Sequence, residues 1–448
     1  MHYKKLIVYG ALYLFTAAII VSSIVLTPQP LDGPAIRVLR GLIVTFASVL
    51  LAKYTLYMVI APWYGLLAKR DKALISHFVK NYSPLVSVMI PCWNEEIGLL
   101  STVKTLLEST YKRLEIIVVN DGSTDGSDTM MRCFIAKYVK EMRGVPPHEQ
   151  IRIIYHYQKN GGKGSALNTG ISLAHGDILA SIDADCVVDA GAIAAFVDAF
   201  RDPRVQAAVG NVKVGNTKTL VGAVQAEEYI FGFYFKKADS LLNTIYIIGG
   251  AAGAFRREVF QRFQYNTKNI TEDIYLSMEI QDAGWKIAYC PDAIIHTEGA
   301  STLAGLQKQR NRWAMGRLQC FIDKRHMFFS LRPHHNKILT LLVLPLAAFS
   351  GVQLLVEPLF VATLFLFSCL SGDFSGFFSS IIVVWLMFLI QAYDARRGIA
   401  SMALSGIGWL LFYVVSYVEL HALIRAVWMT LRKQELKWQK WSRQGMNS

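Results

Sequence analysis

Asp183 and Asp185 flank one alanine directly after a β-branched apolar run, and two carboxylates so spaced suit a hard divalent cation. Side chains alternate along a strand, so residues two apart share a face and the pair converges. An ion held by one or two carboxylates completes its shell with water and ligand phosphates, which makes a diphosphate the expected companion. Similar clusters end two earlier apolar runs: PCWNEE at 91–96, with Asn94 and Glu95, and NDGSTDGS at 120–127, with Asp121. Each alone reads equally well as turn or cap chemistry. Three together at successive strand ends point to one site.

KNGGKGSALN at 159–168 adds glycines that let backbone approach a ligand, with Lys163 beside a helix start. Its spacing is not that of a P-loop, which disfavours a nucleotide triphosphatase. Farther on, Thr271, Glu272 and Asp273 open an amphipathic helix. Glu272 reads as an acid favoured by the helix dipole, whereas Asp273 is a carboxylate that can take a proton from an attacking hydroxyl. Finally, LQKQRNRWAMG at 306–316 packs three cations, three amides and a tryptophan about twenty residues before a hydrocarbon run. It is either a solvated anchor or a holder of an anionic or sugar ligand.

The elements that must position these residues lie between about 85 and 330, where short apolar strands alternate with helical periodicity. That alternation predicts a doubly wound, Rossmann-like α/β sheet, in which ligands bind beyond the carboxyl ends of the strands. Outside this insert the chain is different. It is 53% hydrophobic and only 18% charged over 448 residues, which is unusual for a soluble domain. Runs at 6–26, 42–60 (broken by Lys53), 338–356, 359–370, 377–392 and 399–418 predict an α-helical transmembrane domain. The first run is too long for a signal peptide and lacks a clear cleavage site, so it reads as an anchor. Glu357 and Pro358 separate the third and fourth runs. The basic tail (Arg432, Lys433, Lys437, Lys440, Arg443) favours a cytoplasmic C-terminus, and Arg396 and Arg397 favour a cytoplasmic loop before the last run; five and six spans both stay open.

The formal charge of +13 comes with no basic–aromatic motif, so anionic lipid rather than nucleic acid is the expected partner. Six scattered cysteines without a CxxC pair predict a reducing compartment, and the ten histidines show no metal-ligand spacing.

With NDGSTDGS, DAD, TED and QRNRW in this order between apolar segments, the chain resembles the processive family 2 glycosyltransferases, the membrane synthases of cellulose, hyaluronan, chitin oligomers and poly-N-acetylglucosamine. The resemblance implies a cytosolic GT-A-like catalytic domain, an inverting mechanism, a UDP-sugar donor, a growing polysaccharide acceptor and Mg2+ or Mn2+. It implies that Asp121 contacts the uracil, that Asp183 and Asp185 serve the diphosphate and metal, and that Asp273 is the general base. Asn94, Glu95 and Lys163 join the donor-binding set. Gln309, Arg312 and Trp313 of QxxRW are expected on an interfacial helix at the nucleotide diphosphate and acceptor sugar, and GGAAGAFRR at 249–257 along the acceptor site. Physics agrees, since guanidinium forks phosphate and indole stacks on sugar. Lys308, Arg310 and Arg317 are expected to face lipid headgroups.

Length, PCWNEE, GAAGAFRR and GLQKQRNRW look closest to the poly-N-acetylglucosamine synthases, ahead of hyaluronan, chitin or cellulose types and of a non-processive transferase. The expected organisation is two transmembrane helices in 1–70, a catalytic domain at 80–298, interfacial helices with QxxRW at 299–335, transmembrane helices at 336–430 and a basic tail at 431–448. The expected location is multi-pass in a bacterial inner membrane, exporting the product, with room for a small membrane partner subunit.

Overall fold

The computed structural model describes residues 56–68, 70, 81–146, 149–372, 374–394, 399–434 and a few isolated positions. The run at 6–26, most of that at 42–60 with Lys53, the pair Arg396 and Arg397, the side chain of Glu357 and most of the basic tail lie outside the described residues.

The insert is built on strands β1 (Val86–Cys92), β2 (Leu114–Asp121), β3 (Arg152–Gln158), β4 (Ile178–Ser181), β5 (Val187–Val188), β6 (Val205–Val214), β7 (Gly253–Arg256) and β8 (Lys286–Thr297). They form one sheet in the order β3-β2-β1-β4-β7-β6-β8-β5. β3, β2, β1 and β4 run parallel, as the alternating pattern requires. β7 is antiparallel to β4 and β6, and β8 runs parallel to β6. The fold is thus a Rossmann-like half joined to a mixed half.

Every residue of β2 is buried, the mark of a parallel strand covered on both faces. Alternation divides its apolar side chains between two cores. Ile116 and Val118 pack with Leu99, Val103 and Leu106 of helix α1 (Leu99–Leu107) and Met131 of α2 (Ser127–Glu141). Ile117 and Val119 pack with Ala166 and Leu167 of α3 (Lys163–Leu173) on the other face. Helices α4 (Ala192–Ala199), α5 (Leu220–Leu242), α6 (Arg257–Arg262) and α7 (Glu272–Asp282) complete the layers.

α8 (Leu303–Asp323) carries the QRNRW stretch, capped by Thr302 Oγ1 accepting from Gly305 N at 3.1 Å. Ala314 and Met315 of α8 pack on Ala422, Ala426 and Met429 of the last helix, and Gly316 meets the start of α7 so closely that a Cβ would collide with the Thr271 side chain. A single π-helical turn (Leu339–Val343) leads into α9 (Leu344–Ser371), followed by α10 (Ser375–Asp394) and α11 (Ile399–Leu431). The runs at 338–356 and 359–370 therefore share one continuous helix rather than two. Among the described residues, Leu339–Val356 and Val414–Leu431 are long and apolar enough to cross a membrane, while Leu56–Ala68 is a shorter apolar helix and Leu359–Leu370 a shorter apolar stretch within α9.

Candidate active site

A cleft of about 940 Å³ opens beyond the carboxyl ends of β1, β2 and β4. Its sheet-side wall carries Glu95, Asp121, Asp183 and Asp185, the starts of α3 and α7 add Lys163 and Asp273, and α8 adds Gln309, Arg312 and Trp313. The exception among the expected residues is Asn94, which is absent from the lining formed by the described residues. It takes the left-handed conformation at φ 55°, and its Oδ1 accepts from Thr124 N at 2.7 Å, tying the loop after β1 to that after β2.

Asp121 also has structural work. Its Oδ1 accepts from Gly161 N at 2.9 Å and its Oδ2 from Gly162 N at 2.8 Å, so the carboxylate shapes the glycine loop that ends in Lys163. Gly162 has φ 87°, a left-handed value that favours glycine.

Asp183 and Asp185 lie past the end of β4, in the turn that follows it, so strand alternation does not place them. Turn geometry brings both to the cleft wall instead. Lys163 Nζ lies 2.5 Å from Asp183 Oδ1 and 3.5 Å from Glu272 Oε1. Burial works against the Lys163 ammonium, yet Asp183, Glu272 and Asp273 outweigh it and raise its pKa. Burial also raises the pKa of Glu272; Lys163 opposes this and Asp273 adds to it. The acidic end of the cleft is one interacting group of charges, not a set of isolated caps.

Asp273 Oδ2 accepts from Gly250 N at 2.8 Å and its Oδ1 from Ile274 N at 2.8 Å, which fixes the carboxylate at the cleft. Thr271, at the cap position, makes no side-chain cap bond. Gly249, Gly250 and Ala251 of the GGAAGAFRR segment line the cleft. Its arginines point elsewhere: Arg256 donates to the carbonyls of Phe200, Asp202 and Val205, and Arg257 to those of Ala174 and Gly176.

On α8, Gln309 is buried and lines the cleft, and its Oε1 has no hydrogen-bond partner among the described residues. A buried acceptor without a partner is uncommon and calls for one. Two expectations for this helix change. Arg310 is 2% exposed and ion-paired, and Arg317 lines the cleft rather than facing outward.

Sequence reading missed the wall supplied by α5, where Glu228, Gly232, Lys236 and Asp239 line the cleft. Their spacing of four, four and three puts them on one helical face, which was the available signal.

The chain matches the family model described as glycosyltransferase-like family 2 over residues 83–316, more than half its length. It is a family 2 glycosyltransferase. A poly-beta-1,6-N-acetyl-D-glucosamine synthase of Staphylococcus aureus is 32% identical over 235 residues, covering 52% of this chain and 54% of that protein. The chain thus spans about half the length of that curated relative. A synthase of the same name from Staphylococcus epidermidis is 28% identical over 314 residues, 68% of this chain and 73% of that protein. Among solved structures, a mannosyltransferase of Pyrobaculum calidifontis in complex with GDP-Man and Mn2+ superposes with a TM-score of 0.51 at 19% identity, covering 85% of this chain and 99% of that one. The shared architecture is the GT-A-like α/β fold of glycosyltransferases.

In this glycosyltransferase the donor set fits a hard divalent ion, since Asp183 and Asp185 offer carboxylate oxygens on the cleft wall. A second group gathers elsewhere among the described residues: Asp282, His334 and His335 bring ligand atoms within 4.8 Å of one another. Asp282 ends α7, about 14 Å along the helix from Asp273, and Lys324 Nζ already lies 3.6 Å from Asp282.

Proposed function

We propose that the chain is a membrane-embedded, processive, inverting glycosyltransferase that polymerises a UDP-sugar, UDP-N-acetylglucosamine in first place, into a β-linked polysaccharide and exports it across a bacterial inner membrane. The observation that carries this reading is the meeting of Asp273 with Arg312 and Trp313 in one cleft whose α8 wall packs on the apolar helix α11. The curated names of the staphylococcal relatives support the sugar.

In this reading Asp121 and Glu95 receive the nucleoside end of the donor, and Lys163 and Arg312 hold its diphosphate. Asp183 and Asp185 would hold a divalent ion, Mg2+ or Mn2+, which would supply positive charge against the departing UDP. Trp313 stacks on the terminal sugar of the acceptor and Gln309 takes a hydroxyl of it. Asp273 accepts the proton of the attacking hydroxyl as that oxygen bonds to the anomeric carbon and the bond to UDP breaks. Positioning and charge stabilisation contribute most of the rate.

The two apolar windows, with the shorter apolar helices, support membrane embedding with the catalytic domain at 80–298 on the side where UDP-sugars are made. Mass spectrometry of the product from the membrane-reconstituted chain and a panel of UDP-sugars tests the proposal. An N-acetylhexosamine polymer is expected from UDP-N-acetylglucosamine alone. A single added sugar, or a polymer only from another donor, overturns the processive or the donor assignment respectively.

A further inference from the structure

Arg310 is 2% exposed, which is rare for an arginine unless it is fully paired. Its Nη2 donates to Glu228 Oε2 at 2.5 Å and its Nη1 to Glu419 Oε1 at 3.3 Å. Its guanidinium carbon also lies 4.4 Å from the centroid of the Trp313 ring. One side chain of α8 thus joins α5, α11 and the indole. The planar fork of arginine suits this task, because it grips two carboxylates along its edges while its face lies on the ring. A lysine keeps the charge and loses the fork.

Glu228 and Trp313 both line the cleft, whereas Arg310 is absent from the lining formed by the described residues. The arginine therefore stands behind the wall. Burial raises the pKa of Glu228; Arg310 opposes this and Glu419 adds to it, as expected of two carboxylates sharing one guanidinium. Glu419 lies within the apolar window Val414–Leu431.

We propose that Arg310 is a positioning residue for the acceptor: its guanidinium fixes the plane of the Trp313 indole from behind, and Glu419 ties that plane to α11. The proposal rests on the acceptor role given to Trp313 above. It differs from the headgroup role expected of Arg310 from sequence, and it links the sugar-stacking ring to a helix apolar enough to cross the membrane.

The test uses the full chain in reconstituted membranes, with UDP-N-acetylglucosamine as donor and N-acetylglucosamine oligomers of defined length as acceptors. Arg310→Lys keeps a positive charge opposite both carboxylates. It is expected to raise the acceptor KM by about 3- to 30-fold, the range of a lost cation–π contact, with kcat for donor hydrolysis within about twofold. Glu419→Gln, which leaves the pairing with Glu228, is expected to act in the same direction and more weakly. In a Trp313→Ala background both substitutions should add nothing to the acceptor KM, because the route through the indole is gone. An unchanged acceptor KM in Arg310→Lys overturns the proposal, as do effects that multiply with those of Trp313→Ala. If Arg310→Lys does not fold, Glu419→Gln carries the same comparison. An acceptor KM unaltered by Trp313→Ala alone overturns the acceptor reading itself, and so is distinct from failure of the positioning role.

Discussion

Lys163 Nζ sits 2.5 Å from Asp183 Oδ1, so the chain's own cation stands at the acidic end of the cleft. Its position determines how that end responds to ligands of either sign. Lys163→Met removes the charge that competes with a divalent ion for Asp183 and the one that would meet a diphosphate. Mn2+ alone is expected to bind more tightly to this variant, and UDP without metal more weakly. Calorimetry with each ligand separately checks both directions, and equal affinities for the parent and variant count against a site of this kind.

Asp273 holds two backbone N–H groups, those of Gly250 and Ile274. Asparagine can accept only one of them without turning its amide N–H toward the other. Asp273→Asn is expected to lower turnover by roughly two to four orders of magnitude, the range for loss of a general base, with UDP binding nearly intact. Near-parent UDP release from this variant would remove Asp273 from the base role.

Asp185→Ala should abolish the dependence of UDP affinity on divalent metal, because the diphosphate keeps its charge but loses the bridging ion. The reference measurement is UDP binding by the parent chain with and without EDTA. No difference there would exclude a metal contribution to donor binding.

Trp313→Ala and Arg312→Ala should separate acceptor from donor. The tryptophan variant is expected to hydrolyse UDP-sugar with little polymer formed, and the arginine variant to lose affinity for the donor as well. Product sizing beside a UDP-release assay tells them apart. Parent polymer yield from both returns this stretch to a membrane anchor.

Asp202 joins the turn before β6 to β8 through Lys286 Nζ at 3.0 Å, and Arg204 Nε donates to the same carboxyl at 2.9 Å. Burial pushes its pKa up, but hydrogen bonds from Arg204 and Lys286 prevail and hold it at about 2. A carboxyl depressed in the folded state stabilises the fold fully above its ordinary pKa near 3.8, and that stabilisation is lost as pH falls through about 2. The thermal midpoint of Asp202→Asn should therefore lie below the parent's at pH 6, with the gap narrowing toward pH 2. A gap independent of pH would show that the carboxylate charge contributes nothing.

The parallel half of the sheet was legible because β1 and β2 are short β-branched runs ending in polar turns, a pattern that local propensity and burial both impose. The ends of β2 and β4 located Asp121 and the pair Asp183 and Asp185, because strand ends in such a sheet converge on one edge. The antiparallel insertion of β7 between β4 and β6 was not legible, since pairing partners of short strands are set by contacts far apart in sequence. Asn94 looked no different from Glu95 in PCWNEE, and only the neighbouring loop decided that its amide would hold Thr124 N. Arg310 shows the limit most clearly. Residue type and spacing placed a cation in a polar stretch that ends about twenty residues before an apolar run, for which solvent and lipid headgroups are the default surroundings. Glu228 and Glu419 lie 82 and 109 residues away from it, and only folding brings them to its guanidinium, turning an expected surface charge into a buried support behind Trp313. Sequence by itself determined which polar residues gather at strand ends and helix starts, because that follows from local pattern. Tertiary structure decided which of them face the cleft and which hold its wall, because that depends on the long-range partners each polar group must find when it leaves water.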